Sequence, residues 1–250
     1  MTLTLEDVVG LEYQKEIFYD AIILPLREKE NYNKLVLEPE KIELQKNFLF
    51  YGPPGTGKTF LAKALANSVG VKYEYYSSTE FLRGLVGEGA KELRKIYQNN
   101  EQKLIFLDEI DAIGIDRGLK NSGSTNDILL ELLTQLDGFE TKNKIITIGA
   151  TNKKELLDSA LLSRFNYKLK FESLNYEQRK KLVEKNLSYF NNKISNTKKI
   201  IEKTENMDAR TIKQLFNYVK TNALKNKRNF LINEDFNIDY NDIRRRYKTI

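Results

Sequence analysis

The 250-residue chain contains no cysteine and no histidine, and it has no long uninterrupted run of apolar residues. Without cysteine it forms neither disulfides nor thiolate metal sites, and without histidine it lacks the commonest metal ligand and general base. Histidine-based catalytic triads and zinc proteases of the His-Glu-x-x-His type are therefore excluded. The missing apolar run predicts no membrane span, and Met1 to Gly10 lacks the basic and apolar stretches of a secretory signal. We expect a soluble, cytoplasmic protein.

The net charge of +6, with a pI near 9.1, would permit an anionic partner such as nucleic acid. The lysines, however, are spread along the whole sequence, whereas a nucleic-acid footprint should be a clustered patch. A solvated, lysine-rich surface is the interpretation that the charge favours.

The segment from Gly52 to Thr59 fills every fixed position of the phosphate-binding loop pattern G-x-x-x-x-G-K-[ST]. It lies between an apolar run, Asn47 to Tyr51, that predicts a buried strand, and a helical pattern that begins at Lys58. Glycines let the backbone N–H groups and the helix N-terminus surround phosphate. We expect Lys58 to reach the β and γ phosphates and Thr59 to hold Mg²⁺ through its hydroxyl. A plain Gly-Pro-rich turn would require neither residue.

Two carboxylates, Asp108 and Glu109, end an apolar strand pattern that begins at Leu104. Burying such charges costs free energy unless something nearby favours negative charge, and in a phosphate-loop enzyme Mg²⁺ does so. Asp108 is expected to orient the water shell of the metal, and Glu109 to polarise the attacking water. The alternative is a strand-end turn signal, since Asp-Glu is common at helix starts.

Strand patterns alternate with helical ones as far as Phe171, which indicates a parallel sheet covered on both faces. After Glu172 only helical patterns remain, the first beginning at an Asn175–Gln178 capping box. We therefore predict an α/β nucleotide-binding domain over residues 1–171 and a small helical domain over 172–250. Within the first domain, Gly70 is expected to end a helix in a left-handed cap. An N-terminal helix is expected to place four apolar residues on one face: Tyr13, Ile17, Ala21 and Leu24.

Four motifs in this order resemble those of AAA ATPases, the group that includes katanin, spastin and the membrane-bound AAA proteases. They are Gly52 to Thr59, Asp108-Glu109-Ile110-Asp111, Leu136-Asp137-Gly138-Phe139 and Gly149-Ala150-Thr151-Asn152. The resemblance covers nearly the whole chain. It implies a P-loop NTPase domain with a five-stranded parallel sheet sandwiched by helices, a helical lid, ATP with Mg²⁺, and assembly into a homo-hexameric ring.

The resemblance also assigns residue roles. Lys58, Asp108, Glu109 and Asn152 are expected to be catalytic, with Asn152 as the polar sensor that holds water near the γ phosphate. Thr59 and Asp108 are the expected metal residues. The residues expected to contact the nucleotide are Val9, Gly10, Pro54, Gly55, Thr56, Gly57, Lys58, Thr59 and Phe60.

The sequence departs from the family at three places. The segment that carries the arginine donated to a neighbouring subunit is shortened, which leaves Arg164 as the candidate, with Lys168 second and an exposed surface arginine as the alternative. In the lid, Arg210 is a candidate second sensor that contacts the nucleotide, or a residue of a surface ion pair. Leu85 replaces the aromatic residue expected in a central pore, and it either grips an extended chain or packs beneath a loop.

These features predict a ring-forming ATPase that remodels or disassembles a protein substrate, reached directly or through an adaptor. The alternative is a nucleotide switch or nucleic-acid-handling AAA+ module. A scaffold that binds ATP without hydrolysing it is disfavoured, because it would need no hydrolytic residues such as Glu109.

Overall fold

The computed structural model describes residues 2–35, 46–83, 85, 87–98, 101–115, 123–137, 145–238 and 243. The chain divides into two compact units. The sheet unit comprises Met1–Gly52 and Lys58–Phe171, and the helical unit comprises Pro53–Gly57 and Glu172–Ile250. Among the described residues, no helix is both long and apolar enough to cross a membrane.

The sheet unit is built on five parallel strands, as predicted, and the order of these strands in the sheet is β2-β3-β4-β1-β5. The strands are β1 (Asn47–Tyr51), β2 (Lys72–Ser77), β3 (Lys103–Asp108), β4 (Ile145–Thr151) and β5 (Tyr167–Lys170). The central strands are apolar almost throughout, because both of their faces are covered. In a parallel sheet all carboxyl ends lie at one edge, where ligands of α/β proteins bind. The turns that follow β3 and β4 therefore meet at that edge.

Helices cover both faces of this sheet. They are α1 (Glu12–Phe18), α2 (Leu24–Arg27), α3 (Lys29–Leu35), α4 (Lys58–Val69), α5 (Glu88–Gln98), α6 (Asp111–Gly114), α7 (Gly123–Asp137) and α8 (Ser159–Arg164). A π-helical segment, Tyr19–Ile23, joins α1 to α2, and 3₁₀ turns occur at Leu5–Asp7, Glu80–Leu82 and Lys154–Leu156. Gly70 follows α4 with a φ of +77°, which confirms the left-handed cap.

Two apolar layers, one on each face of the sheet, stabilise this unit. Strand alternation divides β1 between them, because Phe48 and Phe50 join the layer of α4 while Leu49 joins the layer of α5 and α7. All three side chains are fully buried. Since β1 leads directly into the phosphate loop, its packing on both faces anchors the start of that loop.

Half of the expected apolar face of the N-terminal helix is confirmed, because Ile17 and Ala21 are partly buried and pack against the core. The other two residues of that face are not buried. Tyr13 is 66% exposed and Leu24 is 40% exposed, whereas Phe18 and Ile22 are buried. The π-helical segment Tyr19–Ile23 explains part of the difference, because a wider turn rotates the following residues relative to a regular 3.6-residue repeat.

The helical unit contains α9 (Tyr176–Leu187), α10 (Thr197–Lys203) and α11 (Ala209–Lys225), with a 3₁₀ turn at Asn233–Phe236. The predicted capping box at the start of α9 is confirmed: Asn175 Oδ1 accepts from Gln178 N, and Asn175 N donates to Gln178 Oε1. Apolar side chains of the three helices form one core, which includes Val183, Ile201 and Phe216.

Candidate functional site

The loop between β1 and α4 is shaped by glycines. Gly52, Gly55 and Gly57 have φ values of +134°, +78° and +100°, a region that residues with side chains rarely adopt. At Gly52 a Cβ would lie 2.0 Å from the carbonyl oxygen of Phe171, so any side chain there would collide with backbone. Within the loop, the Thr56 hydroxyl donates to the carbonyl of Pro53 at 2.8 Å. Glycine-rich bends of this kind suit a loop whose backbone N–H groups bind an anion.

Lys58 begins α4 and is buried, with 8% of its surface exposed. Its Nζ donates to the carbonyl of Gly52 at 2.7 Å and to Asn152 Oδ1 at 2.8 Å. A buried ammonium is costly unless it has partners, and these two oxygens are among the groups that hold it. The structure thus brings together two predicted site residues that are 94 positions apart in the sequence.

The second cluster of predicted site residues lies at the end of β3. Asp108 Oδ1 accepts from the backbone N–H of Glu109 at 3.0 Å, and Asp108 Oδ2 accepts from the Tyr75 hydroxyl at 3.3 Å. Burial, together with the charge and the hydrogen bond of Asp108, raises the pKa of Tyr75, so the phenol keeps its proton at neutral pH. Both carboxylate oxygens of Asp108 are therefore held from neighbouring backbone and side chain.

Glu109 is exposed and has a φ of +53°. A left-handed conformation at a residue with a side chain costs about 1–3 kcal/mol and persists only where surrounding contacts impose it. Here the N–H of Ile110 donates to the carbonyl of Ala150 at 2.9 Å, and the N–H of Ala112 donates to the carbonyl of Glu109 at 2.8 Å. The side chain on this strained turn is open to solvent.

These residues fit a nucleotide phosphate chain with one divalent cation. The cation Lys58 and the glycine-rich backbone suit the phosphates. For the metal, the chain offers the exposed Thr59 and the half-buried Asp108. In the described ranges no group of three or more Asp, Glu, His or Cys side chains could hold a metal by itself. Mg²⁺ suits such a sparse set, because it usually keeps several waters and is completed by phosphate oxygens.

The segment around Val9 and Gly10, which is predicted to contact the nucleotide, has an unusual backbone. Gly10 is buried and has a φ of +73°, and Leu11 follows with a φ of +60° before α1 begins. The Lys15 ammonium donates to the carbonyl of Val8 at 2.6 Å, which fixes the backbone of the residue that precedes Val9. Phe60, on the first turn of α4, is 46% exposed. The contact of these residues with a base stays a prediction.

Arg164 lies apart from this cluster. The Asn47 amide, at the amino end of β1, donates to the carbonyls of Leu136 and Arg164 at 2.9 and 3.2 Å. The phosphate loop begins at the opposite end of the same strand, about 16 Å away at 3.3 Å per residue. The Arg164 guanidinium makes two hydrogen bonds to Asp137, at 2.9 and 3.2 Å. These bonds and the charge of Asp137 raise the pKa of Arg164.

The remaining candidates also have defined surroundings. Lys168, on β5, donates to the carbonyl of Phe165 at 3.2 Å. Leu85 is 77% exposed, and its backbone N–H donates to Glu88 Oε2 at 2.8 Å. The adjacent Val86 of the expected pore segment lies outside the described residues, as do Gly138 and Phe139 of the third motif.

Two features of the helical unit concern the predicted nucleotide contacts. Arg210 is exposed at the second position of α11, and Asp208 caps that helix by accepting from the N–H of Thr211 at 2.7 Å. A Cβ on Gly55, which belongs to the same unit, would lie 2.0 Å from Asp208 Oδ2, so this carboxylate adjoins Gly55. The pattern that identified the loop gave no sign of this neighbour.

Three residues near the site had no role in the sequence interpretation. The Thr151 hydroxyl donates to Asp111 Oδ1 at 2.7 Å and accepts from the N–H of Lys153 at 2.9 Å. Thr151 and Asp111 belong to motifs that were recognised in the sequence, so their positions in those motifs could have predicted that they lie near the site. Tyr75 belongs to none of the motifs, and only the pairing of β2 with β3 brings it to Asp108.

Comparison with known proteins gives a family and a set of relatives. The sequence model of the ATPase family associated with various cellular activities (AAA) matches residues 48–173. The chain is 32% identical over 243 residues to a proteasome-activating nucleotidase of Thermococcus onnurineus, covering 94% of this chain and 60% of the relative. It is 38% identical over 189 residues to a 26S proteasome regulatory subunit 6B homolog of Aspergillus niger, covering 72% and 44%. The chain thus spans 60% or less of the length of these relatives.

Proposed function

Because this chain belongs to the AAA family of ATPases, we propose that it binds ATP with Mg²⁺, hydrolyses the γ phosphate and uses the reaction to remodel a protein. The observation that carries the proposal is the Lys58–Asn152 hydrogen bond, which joins the phosphate lysine to the polar sensor across two adjacent strands. A scaffold that only bound nucleotide would need the lysine but not this pairing.

The protein's own contribution is positioning and charge. Bound MgATP supplies the phosphoryl group and the charge of the metal. Lys58 and the loop N–H groups hold the phosphates, and Thr59 and Asp108 orient the metal and its waters. Glu109 polarises the attacking water, whose position Asn152 fixes. Glu109 needs no histidine as a partner, since in phosphoryl transfer the protein mainly orients the reactants and stabilises charge.

We propose further that Arg164 completes the site of a neighbouring subunit in a homo-hexameric ring. Its carbonyl lies beside the amino end of β1, whereas the phosphate loop follows the carboxyl end of that strand. This separation supports a role in trans, since an arginine that acted on its own site would have to lie at the opposite edge. Lys168 is the second candidate, although it lacks the planar fork of arginine.

The protein-substrate proposal rests on the relatives, which are named as proteasome-activating nucleotidases and 26S proteasome regulatory subunits. Leu85, which is 77% exposed, offers an apolar side chain that could grip an extended polypeptide. The substrate or adaptor would then be a protein. We also propose a cytoplasmic location, where ATP for the reaction is available.

One observation favours the alternative of nucleic-acid handling. Residues 172–250 hold 18 Lys and Arg against 10 Asp and Glu, whereas residues 1–171 hold 23 against 25. The positive charge of the chain is therefore concentrated in the helical unit rather than spread evenly. ATPase rates measured with unfolded protein and with DNA separate the two proposals, because stimulation by DNA alone would favour the alternative.

The ATPase proposal is tested by two substitutions. Lys58→Ala should lose nucleotide binding, and Glu109→Gln should bind ATP but lose turnover by at least roughly a hundredfold. Glu16→Gln makes the same carboxylate-to-amide change on an exposed part of α1 and serves as the control. A Glu109→Gln variant that hydrolyses ATP at the wild-type rate would remove Glu109 from the reaction, and near-normal ATP affinity in Lys58→Ala would contradict the phosphate-loop assignment.

A further inference from the structure

One buried hydroxyl connects the turns that follow β3 and β4. Thr151, the last residue of β4, is 2% exposed. Its hydroxyl donates to Asp111 Oδ1 at 2.7 Å and accepts from the backbone N–H of Lys153 at 2.9 Å. The first bond reaches the turn of Glu109, and the second closes the turn of Asn152.

The turn of Glu109 needs such support. Its left-handed backbone, with a φ of +53°, is unfavourable for a residue with a side chain. The backbone bond from Ile110 to Ala150 holds one side of the turn. The Thr151–Asp111 bond holds the next residue on the same, C-terminal side of Glu109. Both contacts come from β4, so the position of the Glu109 carboxylate depends on that strand.

The Asn152 side chain has the same requirement. It is exposed, and its Oδ1 accepts from the Lys58 ammonium at 2.8 Å. An exposed amide keeps a fixed position only if its backbone is fixed, and the Thr151–Lys153 bond closes the backbone on either side of Asn152. Thr151 therefore adjoins Asn152 directly and reaches the turn of Glu109 through Asp111.

We propose that Thr151 and Asp111 are positioning residues that keep Glu109 and Asn152 in a fixed mutual arrangement for attack by water. The proposal rests on the ATPase function proposed above. Neither side chain needs to touch the nucleotide. If Thr151 only filled space at the end of a strand, a residue of similar shape without the hydroxyl would serve equally well.

Thr151→Val removes both hydrogen bonds and stays close to threonine in shape, whereas Thr151→Ser keeps the hydroxyl. We expect kcat to fall about tenfold in Thr151→Val, since small misplacements of reacting groups are costly, while the affinity for ATP changes less than about twofold. Thr151→Ser should keep most of the wild-type kcat. Thr147→Val is the matched control, because Thr147 is also 2% exposed on β4 but bonds to Tyr97 instead.

A second readout needs no nucleotide. Hydrogen exchange of the Lys153 amide should accelerate in Thr151→Val and stay slow in Thr151→Ser, because only the hydroxyl protects that amide. A double-mutant cycle of Thr151→Val with Asp111→Ala should be non-additive in kcat, since each change removes the same bond.

The inference is overturned if Thr151→Val keeps the wild-type kcat, if Thr151→Ser loses as much as Thr151→Val, or if Thr147→Val lowers kcat equally. Failure of the proposed function is a separate result. It would show as wild-type hydrolysis by Glu109→Gln, whatever the Thr151 variants do.

Discussion

Mixing two inactive variants tests the proposal that Arg164 acts in trans. Arg164→Ala keeps Glu109 but supplies no arginine to its neighbour, and Glu109→Gln supplies the arginine but cannot activate water. Where an Arg164→Ala subunit provides the site and a Glu109→Gln subunit provides the arginine, the interface is complete. Such interfaces should hydrolyse ATP although neither variant does so alone.

The size of the effect follows from the geometry and from random assembly. In a 1:1 mixture about one quarter of the interfaces combine the two intact residues in the right order, so the ATPase rate should reach about one quarter of the wild-type rate. The Arg164–Asp137 pair does not prevent this. Both side chains are 34% exposed, and such pairs contribute only about 0.2–1 kcal/mol, at most about fivefold. A trans arginine contributes about 10³-fold or more to turnover.

The assay is the steady-state ATPase rate at fixed total protein across mixing ratios, with assembly confirmed by sedimentation. The rate should be highest at equal amounts and fall to zero at both ends. A mixture of Lys58→Ala with Glu109→Gln is the negative control. Each of these changes damages the ATP site of the subunit that carries it, so no interface in the mixture has a complete site. A flat, inactive profile from assembled Arg164→Ala and Glu109→Gln mixtures would refute the trans role of Arg164 and leave Lys168 to be tested.

Three further predictions follow from the contacts. Asp137→Ala should change the ATPase rate by less than about fivefold, because the exposed ion pair with Arg164 is weak. A loss of ATPase rate as large as that of Arg164→Ala would show that Asp137 is required for the arginine to act. Tyr75→Phe should raise the Mg²⁺ concentration for half-maximal ATPase activity by about tenfold, since it removes the hydrogen bond that holds one oxygen of Asp108. Tyr73→Phe is the control, because the buried Tyr73 hydroxyl has no partner in the part of the chain that the structure describes. Equal effects of the two substitutions would contradict the reasoning. Burial favours the neutral form of Asp235, but hydrogen bonds from Arg228 and the Ile232 N–H outweigh it and lower its pKa. The stability that Asp235 contributes is therefore present above pH ~4 and lost as the pH falls through the lowered pKa, and Asp235→Asn should lower the free energy of unfolding at pH 7 by about 2 kcal/mol and flatten its fall in acid; an unchanged acid profile in a denaturant titration series would contradict this.

Periodicity and local motifs predicted the fold well, because they report on contacts between near neighbours in the sequence. The apolar run of β1 and the Asn175–Gln178 capping box were both readable in this way. The face of the N-terminal helix was predicted only in part. Ile17 and Ala21 pack against the core, but Leu24 follows a π-helical turn at Tyr19–Ile23 that leaves no reliable trace in apolar spacing.

The candidate site shows the same limit more strongly. The loop and Asp108 were predicted from residue types in a fixed pattern, and Asn152 from the resemblance to AAA ATPases. The left-handed backbone of Glu109 was not, because it is imposed by β4 rather than by the residue itself. The contact of Tyr75 with Asp108 spans 33 residues, and the pairing of Asp137 with Arg164 spans 27. Only tertiary structure brings such residues together.

The separation of Arg164 from the phosphate loop along β1 has a consequence for symmetry. If the arginine acts in trans, each subunit donates Arg164 from one edge of its sheet and accepts the neighbour's arginine at the other edge, so the contact between subunits is head-to-tail. A two-fold dimer would complete both sites only if both edges of each sheet met the partner at once, and an open chain of subunits always ends in one site without its arginine. Ring closure completes the last site of such a chain, so the ATPase rate per subunit should rise a final time when the chain closes.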